Sequence, residues 1–162
     1  MLAVYNRYHE KTVKVLPEGS APGNGEFLLS VHLLVVNSQG QLLTVQNQLF
    51  AEENGGMWDF PSWGFVRADE TPAEAASRQL DRMLALPIAP ERFRHCFTEL
   101  YTGELRDYLL ACRDADPADF RVNEEMICGA QFRPLQEILE MTENEEFVDH
   151  GDMFYERLRD LK

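Results

Sequence analysis

Residues Phe27 to Val36 read F-L-L-S-V-H-L-L-V-V, an apolar run broken only by Ser30 and His32. A strand with one wet face would alternate. A near-continuous run predicts a strand covered on both faces. Any fold that contains it needs a layer on each side of its sheet. Asn37-Ser-Gln-Gly40 reads as a turn and Gln41 to Gln46 as a returning strand, which predicts a hairpin. No second histidine or carboxylate lies close to His32 in sequence, so its expected role is that of a hydrogen-bonded core residue rather than a ligand.

The strongest helix signal follows at 64–86. Thr71 is a good N-cap, Pro72 suits the first helical position, and Glu74 completes a capping box with Thr71. Ala75, Ala76, Leu80, Met83 and Leu84 form an apolar stripe at helical spacing, and Pro87 supplies the stop. Before this helix come a loop ending in Asn54-Gly-Gly56 and the aromatic segment M-W-D-F-P-S-W-G-F-V. Its two tryptophans, Trp58 and Trp63, read as core or as the wall of a cleft.

The remaining chain mixes strands and helices without βαβ regularity. Short strands are expected around Val4 and Val13, a loop over Pro17 to Gly25, and a second hairpin from Phe93–Tyr101 and Leu105–Cys112 about Thr102-Gly103-Glu104. Met126 to Arg133 reads as a strand, while Pro134–Met141 and Asp152–Leu161 read as amphipathic helices. This order favours an α/β fold with a mixed sheet between helices over a doubly wound parallel sheet. The 162 residues are expected to form a single domain, 1–162, with a variable N-terminal segment at 1–26.

A net charge of −13 argues against non-specific binding to nucleic acid or to an anionic membrane. It does not exclude a small phosphorylated metabolite, because local positive charge can offset the field. The three cysteines, Cys96, Cys112 and Cys128, form no C-x-x-C pair and read as buried thiols in a reducing compartment. The opening M-L-A-V-Y-N-R-Y-H-E lacks the apolar stretch of a secretory leader, so the expected location is cytoplasmic.

Gly64, Glu70 and Arg78, with five and seven residues between them, then match the register of the Nudix box, G-x5-E-x7-R-E-U-x-E-E-x-G-U, where U is bulky and aliphatic. Leu80 and Leu86 fill the two U positions. The chain therefore resembles the Nudix hydrolase superfamily. Val31-His32, Asn37, Gly40, Leu42-Leu43, and later Glu124-Glu125, Ala130, Leu135 and Glu137-Ile138, resemble in pattern the Nudix proteins related to isopentenyl-diphosphate isomerase. The resemblance implies an α/β/α sandwich with a mixed β-sheet and a loop–helix–loop box at 64–86. It implies a lineage acting on diphosphate bonds of nucleotide derivatives or similar small metabolites, with Mg²⁺ or Mn²⁺ as the family's cofactor. The isomerase reaction itself is not implied, since the cysteines read as small core residues.

The departures bear on chemistry. Family glutamates one helical turn apart hold the cation. Here those three positions are Gln79, Arg82 and Met83, which offer a neutral amide, a cation and a soft sulfur. The box glycine near the helix end is Ala85, and Trp63 and Asp69 replace two further glycines. No metal-ligating set is therefore assigned. The candidate catalytic residues are Glu70 and Arg78, which the resemblance makes chiefly a structural ion pair, and Glu124 and Glu125 as a substitute base or ligand. The candidate substrate-binding residues are Trp58, Trp63, Phe65 and Arg82. Three readings stay open: a diphosphate hydrolase, a catalytically inactive ligand-binding or regulatory module in which Arg82 meets phosphate directly, and a packed face at a homodimer contact through Met83, Trp63 and Phe65.

Overall fold

The computed structural model describes residues 1–161. Its main sheet runs β5 (Trp58–Asp59), β4 (Leu42–Asn47), β3 (Leu28–Val36), β7 (Glu104–Cys112), β6 (Arg94–Tyr101), with β8 (Ile127–Arg133) paired to β4. β3 and β7 are parallel from Leu28↔Glu104 to Val36↔Cys112, and the other pairs are antiparallel, so the sheet is mixed. β1 (Leu2–Tyr5) and β2 (Lys11–Leu16) make a separate two-stranded ribbon. The helices are α1 (Pro72–Leu84), α2 (Leu135–Glu143) and α3 (Asp152–Arg159).

The apolar run is covered on both faces, as its composition requires. Leu29, Val31, Leu33 and Val35 point to one face and pack with Ala75, Ala76, Leu80, Met83 and Leu84 of α1. Leu34 points to the other and packs with Ile138 and Met141 of α2 and with Phe154, Tyr155 and Leu158 of α3. The result is an α/β/α sandwich with one core on each side of the sheet.

The hairpin expected from β3 and β4 forms at its turn and then opens. Their register contains one pair, Val36↔Leu42. Beyond it, β4 is flanked by β8 on one edge and by β5 on the other, at Val45↔Asp59 and Gln46↔Trp58. The divergence leaves an edge of β3 free, and the segment after β5 fills it. Leu33 N–H donates to the Pro61 carbonyl at 2.9 Å and Val66 N–H to the Leu29 carbonyl at 2.8 Å. The loop that leads into α1 is thereby pinned along the middle of the sheet.

Two further expectations are corrected. Cys112 and Cys128 are exposed and Cys96 is half-buried. Cys112 ends β7, and Cys128 lies on the outward side of β8, so neither enters a core. His32 is buried, but its Nδ1 has no hydrogen-bond partner among the described residues. It is held by ring contact instead, 5.3 Å from the Tyr108 centroid. Burial, then the charges of Arg106 and His150, pushes its pKa well below the ordinary histidine value, so it is neutral at pH 7.

Candidate functional site

The loop–helix unit at 64–86 is built by local chemistry. Gly64 has φ +74° with open space where a Cβ would stand, so backbone conformation alone demands glycine. The Thr71 hydroxyl accepts from Glu74 N–H and the Glu74 carboxylate accepts from Thr71 N–H, a complete capping box. At the far end Ala85 adopts φ 53°, ψ 39°, the left-handed conformation that glycine fills at little cost.

Glu70 joins the loop to the helix. Its carboxylate accepts from Arg78 Nε at 2.9 Å, from Arg78 Nη2 at 2.6 Å, and from the Arg67 amide at 2.9 Å. Burial alone would raise its pKa. The bonds from Arg78 and Arg67, with both positive charges, outweigh that and hold it below the ordinary carboxylate range. The pair is consistent with the structural role that the resemblance implied.

The three box positions differ sharply from one another. Gln79 is fully buried, and its Oε1 accepts the Trp63 backbone N–H at 3.1 Å. Its Nε2 is buried with no partner among the described residues. Met83 is fully buried in the core under the sheet, which removes it from any ligand site and from any homodimer contact. Arg82 is exposed. One oxygen already committed to an amide, one buried thioether and one guanidinium do not fit Mg²⁺ or Mn²⁺, which require several oxygen ligands.

Of the three, Arg82 lines a pocket of ≈ 220 Å³ together with Trp63, Gly64, Phe65, Arg67 and Arg78, and Glu18 and Gly19 form its edge. Arg78 is neutralised by Glu70, whereas Arg67 and Arg82 make no salt bridge among the described residues. Within a chain of net charge −13 this is a local concentration of positive charge. The structure thus brings together Trp63, Phe65, Arg78 and Arg82, with Glu70 behind Arg78.

It does not bring the other candidates into that pocket. Trp58 stacks under Arg133, whose Cζ is 4.3 Å from the ring centroid, and lines a different depression with Met57, Glu145 and Glu146. Glu124 and Glu125 are exposed on the turn before β8. That turn is anchored to the end of α1: Asn123 N–H donates to the Met83 carbonyl at 2.9 Å, and Asn123 Nδ2 to the Arg82 carbonyl at 3.3 Å. Among the described residues, the group of three side chains placed to share a metal ion is His9, His95 and Asp107, with no member from the box. His9 and Asp107 lie 98 positions apart, so no sequence spacing could have paired them.

Comparison with known proteins bears on the family and the fold. The family model for the NUDIX domain matches residues 26–154. An uncharacterised Nudix hydrolase of Listeria monocytogenes is 27% identical over 157 residues, covering 97% of this chain and 92% of its own. Among solved structures, one from Deinococcus radiodurans superposes with a TM-score of 0.72 at 19% identity, over 99% of both chains. The NUDIX domain of Shewanella oneidensis NrtR, complexed with ADP ribose, superposes with a TM-score of 0.63 at 18% identity over 83% of this chain and 87% of that one. The box register, the two-faced sheet and the extent of the family match together place this chain in the Nudix family.

Proposed function

We propose that this protein belongs to the hydrolase lineage of its family and takes a diphosphate-bearing nucleotide derivative or similar small metabolite at the pocket beside Trp63. The observation that carries this reading is that two guanidiniums, Arg67 and Arg82, which make no salt bridge among the described residues, open onto the box loop. A guanidinium meets phosphate oxygens through a planar fork of donors and needs no metal to do so. The ADP ribose held by the Shewanella relative makes that compound the natural first probe. In this reading the usual cation site of the box is replaced by direct arginine contact. Trp63, 41% exposed, offers a face for stacking.

A second reading rests on Asn123. By tying its turn to the last residues of α1, it sets Glu124 and Glu125 just beyond the box helix, where either could act as a base. Two measurements separate the readings. Melting temperature is followed with ADP ribose and with inorganic pyrophosphate, each in excess EDTA, for the native chain and Arg82→Ala. Turnover of diphosphate metabolites is followed with Mg²⁺ and Mn²⁺, for the native chain, Glu124→Gln and Glu125→Gln. Stabilisation that persists in EDTA and is lost in Arg82→Ala supports the first reading. Stabilisation that requires metal, with turnover lost in either glutamine variant, replaces it with the second.

A further inference from the structure

On the α1 side of the sheet, between Leu105 and Leu109 of β7, sits a carboxylate that the box does not use. The Asp107 side chain is 1% exposed. A carboxylate so deeply placed requires compensation. It is met by His9 and His95, on the β1–β2 turn and on β6, and by Thr98 on β6. His9 Nε2 lies 2.9 Å from both Oδ1 and Oδ2. Thr98 Oγ1 donates to Oδ1 at 2.6 Å. His95 Nε2 lies 2.8 Å from that hydroxyl and 3.4 Å from Oδ1. Both imidazoles thus aim the same nitrogen at one carboxylate.

Two backbone irregularities create this convergence. His9 has φ +64°, a conformation that non-glycine residues adopt rarely and at a cost. In β6 the register shifts between His95↔Leu109 and Phe97↔Tyr108, a bulge at Cys96. Strict alternation would put His95 and Thr98 on opposite faces. The bulge puts both on the face of Asp107, while Phe97 stacks on Tyr108 beneath the opposite core. A single N–H placed equally between two oxygens is poorly aligned with either, whereas a cation shared by the carboxylate and the rings would serve all of them.

We propose that His9, His95 and Asp107 form a site for a divalent transition metal of the zinc class, distinct from the box. Two imidazoles and a carboxylate are borderline donors that suit Zn²⁺ and Co²⁺ rather than Mg²⁺. The three donor atoms lie within 4.8 Å of one another. The histidine side chains are 38% and 49% exposed, which leaves an entry path. Three protein ligands leave a fourth position for water or for an external ligand.

The test titrates the EDTA-stripped 162-residue chain with Co²⁺ and reads the visible d–d absorption, then displaces Co²⁺ with Zn²⁺. One ion per chain is expected, with no sulfur-to-cobalt band, since the cysteines take no part. His9→Ala and His95→Ala are each expected to weaken binding at least about tenfold, since even residues that merely support a ligand cost that much. Both histidines are partly exposed, and circular dichroism verifies that each variant is folded. No saturable absorption, or a loss below tenfold in either variant, overturns the proposal.

Discussion

Arg78 grips Glu70 edge-on, Nε to Oε2 at 2.9 Å and Nη2 to Oε1 at 2.6 Å, and so ties the box loop to the helix that follows it. The same carboxylate accepts the Arg67 amide, which holds the next arginine of the pocket in place. One side chain therefore fixes both the loop backbone at Arg67 and the guanidinium of Arg78.

Glu70→Gln is expected to cost about 2 kcal/mol at pH 7, in the range for a hydrogen-bonded charge pair that is partly buried. The folded pKa of Glu70 lies below its ordinary value of 4.5, so its contribution is complete above that pH and is lost as pH falls through the folded value. Urea denaturation of the native chain and Glu70→Gln should show the full gap at pH 7 and a closing gap below about 4.5. A gap independent of pH would mean that packing, not charge, holds the loop.

Ala85 stands in the left-handed region at the C-terminus of α1, φ 53° and ψ 39°. Relieving that conformation favours glycine by about 1 kcal/mol, partly offset by the freer unfolded chain. Ala85→Gly is therefore expected to raise the melting temperature, by less than the roughly 2–4 °C that a full 1 kcal/mol gives a chain of this size. A lower melting temperature would show that the methyl group makes contacts worth more than the strain.

Gly64 at φ +74° gives the complementary case at the other end of the box. No atom lies within 4 Å of the Cβ a substitution would add, so the penalty is conformational only. Gly64→Ala should lose about 1–2 kcal/mol, and Gly64→Asn less, because asparagine tolerates this region. Equal losses for both would point to steric exclusion by the pocket wall rather than to backbone preference.

The elements were legible where local rules decide them. The capping box at Thr71, the two-sided run at 27–36 and the spacing of Gly64, Glu70 and Arg78 all read from neighbours along the chain. Three features were not, because each depends on partners distant in sequence. β4 leaves β3 because β8 and β5 claim its edges. His95 joins Asp107 because a bulge turns it over. Trp58, adjacent in sequence to the box loop, is drawn away by Arg133 of β8. The apolar stripe of the box helix already included Met83, which is buried, and Trp63, Phe65 and Arg82 were named as candidates, but Arg67 beside them was not.

A contrast within the box helix sets the last prediction. Arg82 and Met83 are adjacent, and both occupy positions where the family carries glutamate, yet one faces solvent and the other the core. Arg82→Glu should be tolerated, with a loss of under about 1 kcal/mol from placing a negative charge at the C-terminal end of a helix. Met83→Glu forces a carboxylate among Leu80, Leu84 and the β3 side chains and should cost about 3 kcal/mol or more, most of it charge desolvation. Its deficit should begin to shrink well above the ordinary carboxylate range, because burial raises the pKa of the new carboxyl, whereas any change in the small Arg82→Glu deficit should be confined to the ordinary carboxylate range at the low end of the scan. Denaturation midpoints of the two variants between pH 4 and pH 8 decide the matter. If Met83→Glu were as stable as the native chain at pH 8, its carboxylate would have swung into the cleft, and the box face would be open to a cation after all.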